Sequence, residues 1–211
     1  MTKQFLYFAD PMCSWCWGFS PVIEALAAHV GDRAPIQVLM GGLYLGVTEP
    51  MDEERKAQVR HHWERVREAS GQPFDFAFFD RPGFVYDTEK ACRALVTARR
   101  INPPAALPFL RRLHRAFYAE NRDVTRTEVL VEVAREFGFA PELFEEAFDD
   151  PETLDAAQWD FNTARKLGAT AYPTLLAQEG SKAAAVTIGY QPWTQLEPVV
   201  TAWLDGQAAI Q

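Results

Sequence analysis

Apolar positions follow two different periods along this chain. Phe5-Leu6-Tyr7-Phe8 and Ile36 to Met40 are short apolar runs of strand length. Between them, Phe19 to Val30 has helical spacing, with Pro21 placed to kink it. Gly41-Gly42 stops the second run. Two β-runs with a helix between them predict a βαβ unit with parallel strands.

From about Thr48 the pattern turns helical and stays so. Asp52 to Ser70 places Val59, Trp63 and Val66 on one face and is stopped by Gly71. Asp87 is placed to cap a helix carrying Ala91, Cys92, Leu95 and Val96. Asn102-Pro103 starts another, with Leu107, Leu110, Leu113 and Phe117 inward. Thr125 or Thr127 caps a fourth, ending at Gly138. Pro141 to Phe148 is a short fifth, and Thr153 to Leu167 a sixth, closed by Gly168.

The end of the chain returns to β. Thr174 to Gln178 and Ala184 to Ile188 read as a hairpin around Glu179-Gly180-Ser181. A last helix follows over Pro192 to Leu204. Without the central helices the order is β-α-β, then β-β-α. That is an α/β chain with the thioredoxin fold and a helical domain inserted between its halves. The expected domains are 1–48 with 168–211, and 49–167.

The 211 residues are 48% hydrophobic and 24% charged, an ordinary globular composition. No run approaches the roughly 18 apolar residues of a membrane span. Met1-Thr2-Lys3-Gln4 leads straight into the first strand without the parts of a secretory signal, so the expected location is cytoplasmic. A net charge of −8 argues against nucleic acid or an anionic membrane as partner. Arg99-Arg100 and Arg111-Arg112 are expected on solvated helix faces.

Candidate chemistry sits between the first strand and its helix, at Cys13-Ser14-Trp15-Cys16. A C-x-x-C there reads as a thiol–disulfide redox motif. Unpaired N–H groups at a helix start favour a thiolate, the attacking form. Cys13, nearer that start, is the expected exposed nucleophile. Cys16, one turn further in, is the expected buried resolving thiol. Zinc is disfavoured: further ligands would have to come from Cys92, His29, His61, His62 or His114, and no second C-x-x-C exists. Cys92, on an apolar helix face, is expected to be a small core residue. The aromatic stretch Phe74, Phe76, Phe78, Phe79, Phe84 and Tyr86 either lines a peptide groove or fills a seam between layers. His61 and His62 are expected to be exposed.

Asp10-Pro11-Met12-Cys13-Ser14-Trp15-Cys16-Trp17-Gly18-Phe19 and Gly168-Ala169-Thr170-Ala171-Tyr172-Pro173-Thr174-Leu175 resemble the DsbA-like branch of the thioredoxin superfamily, and within it the FrnE-like group of predicted cytoplasmic disulfide isomerases. The resemblance implies that Pro173 is a cis-proline facing the dithiol. It also implies that Trp15, Tyr172 and Pro173 meet an extended substrate. Three features depart from that pattern. Tyr7 stands where many thioredoxin-like proteins place a buried acid, and the turn setting of Asp10 leaves it free to face solvent. Ser14-Trp15 brings no positive charge between the cysteines. Tyr172 is large where a small aliphatic residue is usual.

The leading reading is therefore a thiol–disulfide oxidoreductase or isomerase acting on protein or small-molecule disulfides and thiols. No bound cofactor is expected, and glutathione is a candidate redox co-substrate. The alternatives are a glutathione-dependent enzyme similar to kappa-class transferases and 2-hydroxychromene-2-carboxylate isomerases, and a non-enzymatic redox-sensing module.

Overall fold

The computed structural model describes residues 3–207. Strands β1 (Lys3–Ala9) and β2 (Ile36–Met40) flank helix α1 (Ser14–Val30). Six α-helices follow: α2 (Glu53–Ser70), α3 (Glu89–Ile101), α4 (Ala106–Tyr118), α5 (Thr127–Phe137), α6 (Pro141–Asp149) and α7 (Pro151–Lys166). Strands β3 (Thr174–Glu179) and β4 (Lys182–Ile188) and helix α8 (Trp193–Leu204) complete the order. This is the expected α/β fold, with helices inserted between a βαβ half and a ββα half.

The strands lie in the order β2-β1-β3-β4. β1 runs parallel to β2, with Tyr7 opposite Val38, and antiparallel to β3, with Tyr7 opposite Leu175. Side chains alternate across a sheet. Phe5, Tyr7 and Ala9 therefore face α1 and share a cluster with Cys16, Phe19, Leu95 and Phe117. Leu6 and Phe8 face the other way, against Leu39, Ala164 and Leu176. The larger cluster runs from the sheet into the inserted helices without a break, so both parts bury apolar surface against each other.

Helix starts agree with expectation at α1 and α2 and differ at α3, α5 and α7. α1 begins at Ser14, five residues ahead of Phe19, which puts Cys13 at the cap position. Asp52 caps α2, accepting from the Arg55 N–H at 2.8 Å. At α3 the Asp87 carboxylate accepts from Glu89 N–H at 2.8 Å, yet Thr88 occupies the cap position and its hydroxyl turns inward. Neither Thr125 nor Thr127 caps α5: Arg126 holds the cap position, the Thr125 hydroxyl is spent on Asp123, and Thr127 is already helical. α7 starts at Pro151, two residues before Thr153, with Asp150 accepting from Glu152 N–H. Proline suits that first helical position because it has no N–H to leave unpaired.

The arginine pairs correct the expectation of solvated faces. Arg99 donates to both oxygens of the fully buried Asp160, at 2.8 and 2.9 Å, and Asp160 also accepts from Met40 N–H at 2.9 Å. That cluster ties α3 and α7 to β2. Arg100 reaches Asp150 and Glu152. Arg112 lies between Glu120 and Glu136, and only Arg111, paired with Glu24, is mostly exposed. The aromatic stretch fills a seam. The Trp63 indole is fully buried, stacked on Phe78 with ring centroids 4.9 Å apart and edge-on to Phe79 and Tyr118.

Candidate active site

β1 ends at Ala9, and the chain turns through Asp10-Pro11-Met12 into α1. Cys13 is extended at the cap position, its N–H donating to the Asp10 carbonyl at 3.0 Å. No side chain caps this helix start, so its free N–H groups face the cysteine end of the helix. Cys13 and Cys16 are both free thiols. Cys13, expected to be exposed, is buried at 5% exposure under the segment carrying Tyr172, against 0% for Cys16, which is buried as expected. The Cys13 thiol lies 3.4 Å from the Tyr172 carbonyl oxygen, and the Tyr172–Pro173 peptide is cis. Two segments far apart in sequence therefore meet at one sulfur. Burial pushes the Cys16 thiol well above its ordinary pKa, and the neighbouring Cys13 adds to the effect.

Asp10 does not face solvent. It is fully buried, and its carboxylate accepts from Met12 N–H at 2.8 Å, Leu43 N–H at 2.7 Å, the Thr88 hydroxyl at 2.7 Å and the Cys92 thiol at 3.3 Å. Burial raises its pKa, and the bonds from Leu43, Met12, Thr88 and Cys92 work against that rise. The turn carrying Cys13 is thus pinned to the loop after β2 and to α3. Cys92 is buried, as expected for a core residue, but on a polar anchor rather than on a purely apolar face.

A second buried group entered the sequence analysis only as a possible zinc ligand, and its place beside the site was missed. His114 on α4 is 1% exposed. Its Nε2 lies 3.1 Å from the Asp10 carbonyl oxygen and its Nδ1 lies 3.3 Å from Ser20 Oγ. Burial holds its pKa down at about 4, so the ring is neutral at pH 7. The signal was present: His114 follows Leu110 by four residues and precedes Phe117 by three, which places it on the apolar face. Tyr86 donates to the Met12 carbonyl at 2.6 Å. The buried hydroxyls of Tyr7 and Tyr118 have no aligned hydrogen-bond partner among the described residues.

At the mouth, the half-buried Trp15 lies against Tyr190, ring centroids 5.7 Å apart, with the Arg65 guanidinium 5.8 Å from the Trp15 ring. Tyr172 is committed within the protein: its hydroxyl donates to the Gly41 carbonyl at 2.8 Å. Its ring presses so closely on Gly41 that a Cβ there would sit 2.1 Å from Cζ. Among the described residues, no three His, Cys, Asp or Glu side chains gather as a metal site, and no helix is long and apolar enough to cross a membrane.

Comparison with known proteins agrees with this geometry. The DSBA-like thioredoxin domain family matches residues 5–200. The crystal structure of a candidate protein disulfide isomerase from Nitrosomonas europaea superimposes with a TM-score of 0.91 and 33% identity, covering 99% of this chain and 100% of that one. The cytosolic disulfide reductase DsbM from Pseudomonas aeruginosa superimposes with a TM-score of 0.79 and 24% identity, covering 96% and 98%. A second DsbM structure, solved with GSH, gives a TM-score of 0.75 and 25% identity over 96% and 99%. The ClpXP adapter protein SpxH of Halalkalibacterium halodurans is 24% identical over 174 residues, covering 80% of this chain and 56% of the adapter. This chain thus spans little more than half the length of that relative.

Proposed function

This chain belongs to the DSBA-like thioredoxin domain family, and on that premise we propose that it is a cytoplasmic thiol–disulfide oxidoreductase working through Cys13 and Cys16. The observation that carries the reading is the pairing of a barely accessible Cys13 at an uncapped helix start with a fully buried Cys16 one turn on. The Cys13 thiolate attacks a substrate disulfide, forms a mixed disulfide and releases one substrate thiolate. Cys16 then attacks the Cys13 sulfur, forming the Cys13–Cys16 disulfide and freeing the second substrate thiol. The substrate gains two electrons and the dithiol loses them. Oxidation of substrate thiols is the same sequence in reverse.

Glutathione is the proposed reductant of the resulting disulfide, two molecules supplying the two electrons and leaving as glutathione disulfide. The DsbM structure solved with GSH supports this choice, and the cytosolic location of DsbM supports the location proposed here. Trp15 and the backbone at Tyr172-Pro173 are the proposed contacts for an extended substrate. The likeness to SpxH favours a second reading, a binding module in which the dithiol does not turn over.

Trapping separates these readings. Cys16→Ser should accumulate a mixed disulfide between Cys13 and a protein substrate, seen by mass spectrometry, and Cys13→Ser should lose exchange. A serine hydroxyl is a far weaker nucleophile than a thiolate without an adjacent base. If Cys13→Ser keeps full activity and Cys16→Ser traps nothing, the oxidoreductase reading fails. If the wild-type protein turns over no disulfide while still binding a protein partner, the module reading replaces it.

A further inference from the structure

The face of α2 turned toward the dithiol carries cations and no acid. Arg55, Gln58, His62, Arg65 and Ala69 recur along it at helical spacing. Three contacts fix its orientation. The Arg65 guanidinium lies 5.8 Å from the ring of Trp15, inside the cysteine motif. The Arg55 guanidinium lies 4.9 Å from the Tyr44 ring, which meets Tyr86 edge-on at 5.4 Å, and Tyr86 holds the Met12 carbonyl next to Cys13. The Ala69 carbonyl accepts from the Tyr190 hydroxyl at 3.1 Å. Elsewhere in the insertion Arg93, Arg99, Arg100, Arg112 and Arg122 each pair with a carboxylate. Arg55 and Arg65 pair with none among the described residues: on α2, Glu53 holds Lys56 and Glu64 faces His61, and the Arg55 guanidinium meets the neutral Gln58 at 3.4 Å. In a chain with 29 Asp and Glu against 21 Lys and Arg, that is the reverse of the average surface.

We propose that this face of α2 selects acidic protein disulfides: Arg55 and Arg65 each bind a carboxylate of an extended substrate whose cysteine reacts at Cys13. The inference rests on the dithiol reading above and names its substrate class. A guanidinium stacked on an aromatic ring keeps its N–H fork free for a carboxylate, and the stacking holds it in place before substrate arrives. Ten residues separate the two arginines, about 15 Å along the helix. An extended chain covers that distance in about five residues. The fitting substrate therefore carries acidic side chains on both sides of its cysteine, each within about two or three residues of it. His62 lies between the two arginines. Burial lowers its pKa, and the charges of Arg65, His61 and Arg55 lower it further, so the stripe resists one more positive charge.

A pair of peptides tests this. Each carries a single cysteine as a mixed disulfide with neutral 2-thiopyridine, and they differ only in the residues flanking it, glutamates in one and lysines in the other. The Cys13 thiolate of the reduced protein bonds to the peptide sulfur, and the thiopyridine leaves with the electron pair of the broken S–S bond as the absorbing thione. The readout is the ratio of release rates, glutamate peptide over lysine peptide, each divided by that peptide's rate with 2-mercaptoethanol. The net charge of −8 by itself favours the lysine peptide. The α2 stripe predicts the reverse, a ratio of about ten at low salt from two surface ion pairs gained and two like-charge contacts avoided. The ratio should shrink as salt screens those charges. The double variant Arg55→Gln, Arg65→Gln should bring it to one or below, while Arg55→Lys, Arg65→Lys should keep it above one. Thermal unfolding run alongside shows that the variants are folded. A wild-type ratio of one or below overturns the role of α2 and leaves the dithiol reading standing, as does a ratio that survives the glutamine variant. Release that is absent with both peptides, or unchanged in Cys13→Ser, overturns both.

Discussion

The Cys92 thiol donates to Asp10 Oδ2 at 3.3 Å, joining an inserted helix to the turn that delivers Cys13. Cys92 is fully buried, and burial together with the Asp10 charge pushes its pKa well up, so it remains a thiol. Cys92→Ala should therefore retain disulfide exchange and lose stability. The expected loss is about 1.5–3 kcal/mol, the range for a hydrogen bond to a charged group. Urea unfolding beside turnover on a model disulfide checks this. Lost exchange in a folded variant would give Cys92 a redox role.

His114 makes stability depend on pH. Its pKa falls from 6.5 to about 4 on folding. The unfolded chain then binds the proton more tightly, so stability is complete above pH 6.5 and is lost as pH falls through 4. The gap is worth about 3 kcal/mol. Asp10 acts in the opposite sense, since burial raises its pKa and its contribution falls as pH rises through that raised value. Unfolding of the wild-type protein and His114→Gln at pH 7 and pH 4 isolates the histidine. The wild-type protein should lose about 3 kcal/mol more than the variant on acidification.

The buried pair of Arg99 and Asp160 predicts a larger loss. Asp160→Ala strands the Arg99 guanidinium and the Met40 N–H. It should cost about 3–5 kcal/mol, measured by chemical denaturation. The double variant Arg99→Met, Asp160→Leu should recover part of that loss, since an apolar pair needs no partner in a dry site.

What the sequence revealed follows from the range of the forces involved. β2 was bounded correctly because its apolar run is local and Gly41-Gly42 ends it. The site of the dithiol was legible from its motif and the order of elements, and the cis-proline at Pro173 from the family resemblance. Asp10 was not, because three of its four donors, Leu43, Thr88 and Cys92, come from segments remote in the chain. The same holds for Arg99, whose counter-ion lies on a helix 61 residues away. Caps failed where tertiary bonds claimed the hydroxyl: Thr88 occupies a cap position but its side chain serves Asp10.

Gly41 and Tyr172 make a prediction about substrate access. A methyl group at Gly41 would sit 2.1 Å from the Tyr172 ring, so the ring must move, and the carbonyl beside Cys13 must follow. Gly41→Ala should cost about 1–3 kcal/mol, as overpacking does, and slow exchange. In a Tyr172→Ala background the same change should be nearly free. A double-mutant cycle on unfolding free energy reads the coupling directly.

The placement of β1 has a consequence for how the protein is made. It leaves the ribosome before the strands that flank it, yet it sits inside the sheet with β3 on one side. Cys13 and Cys16 emerge just after it, long before Tyr172 and Pro173 exist. Until the chain has grown through β3, one edge of β1 is uncovered and the dithiol lacks part of its wall. A nascent chain is therefore open to stray thiol chemistry from the synthesis of β1 until that of β3, and the sheet closes that opening only when β3 and β4 arrive.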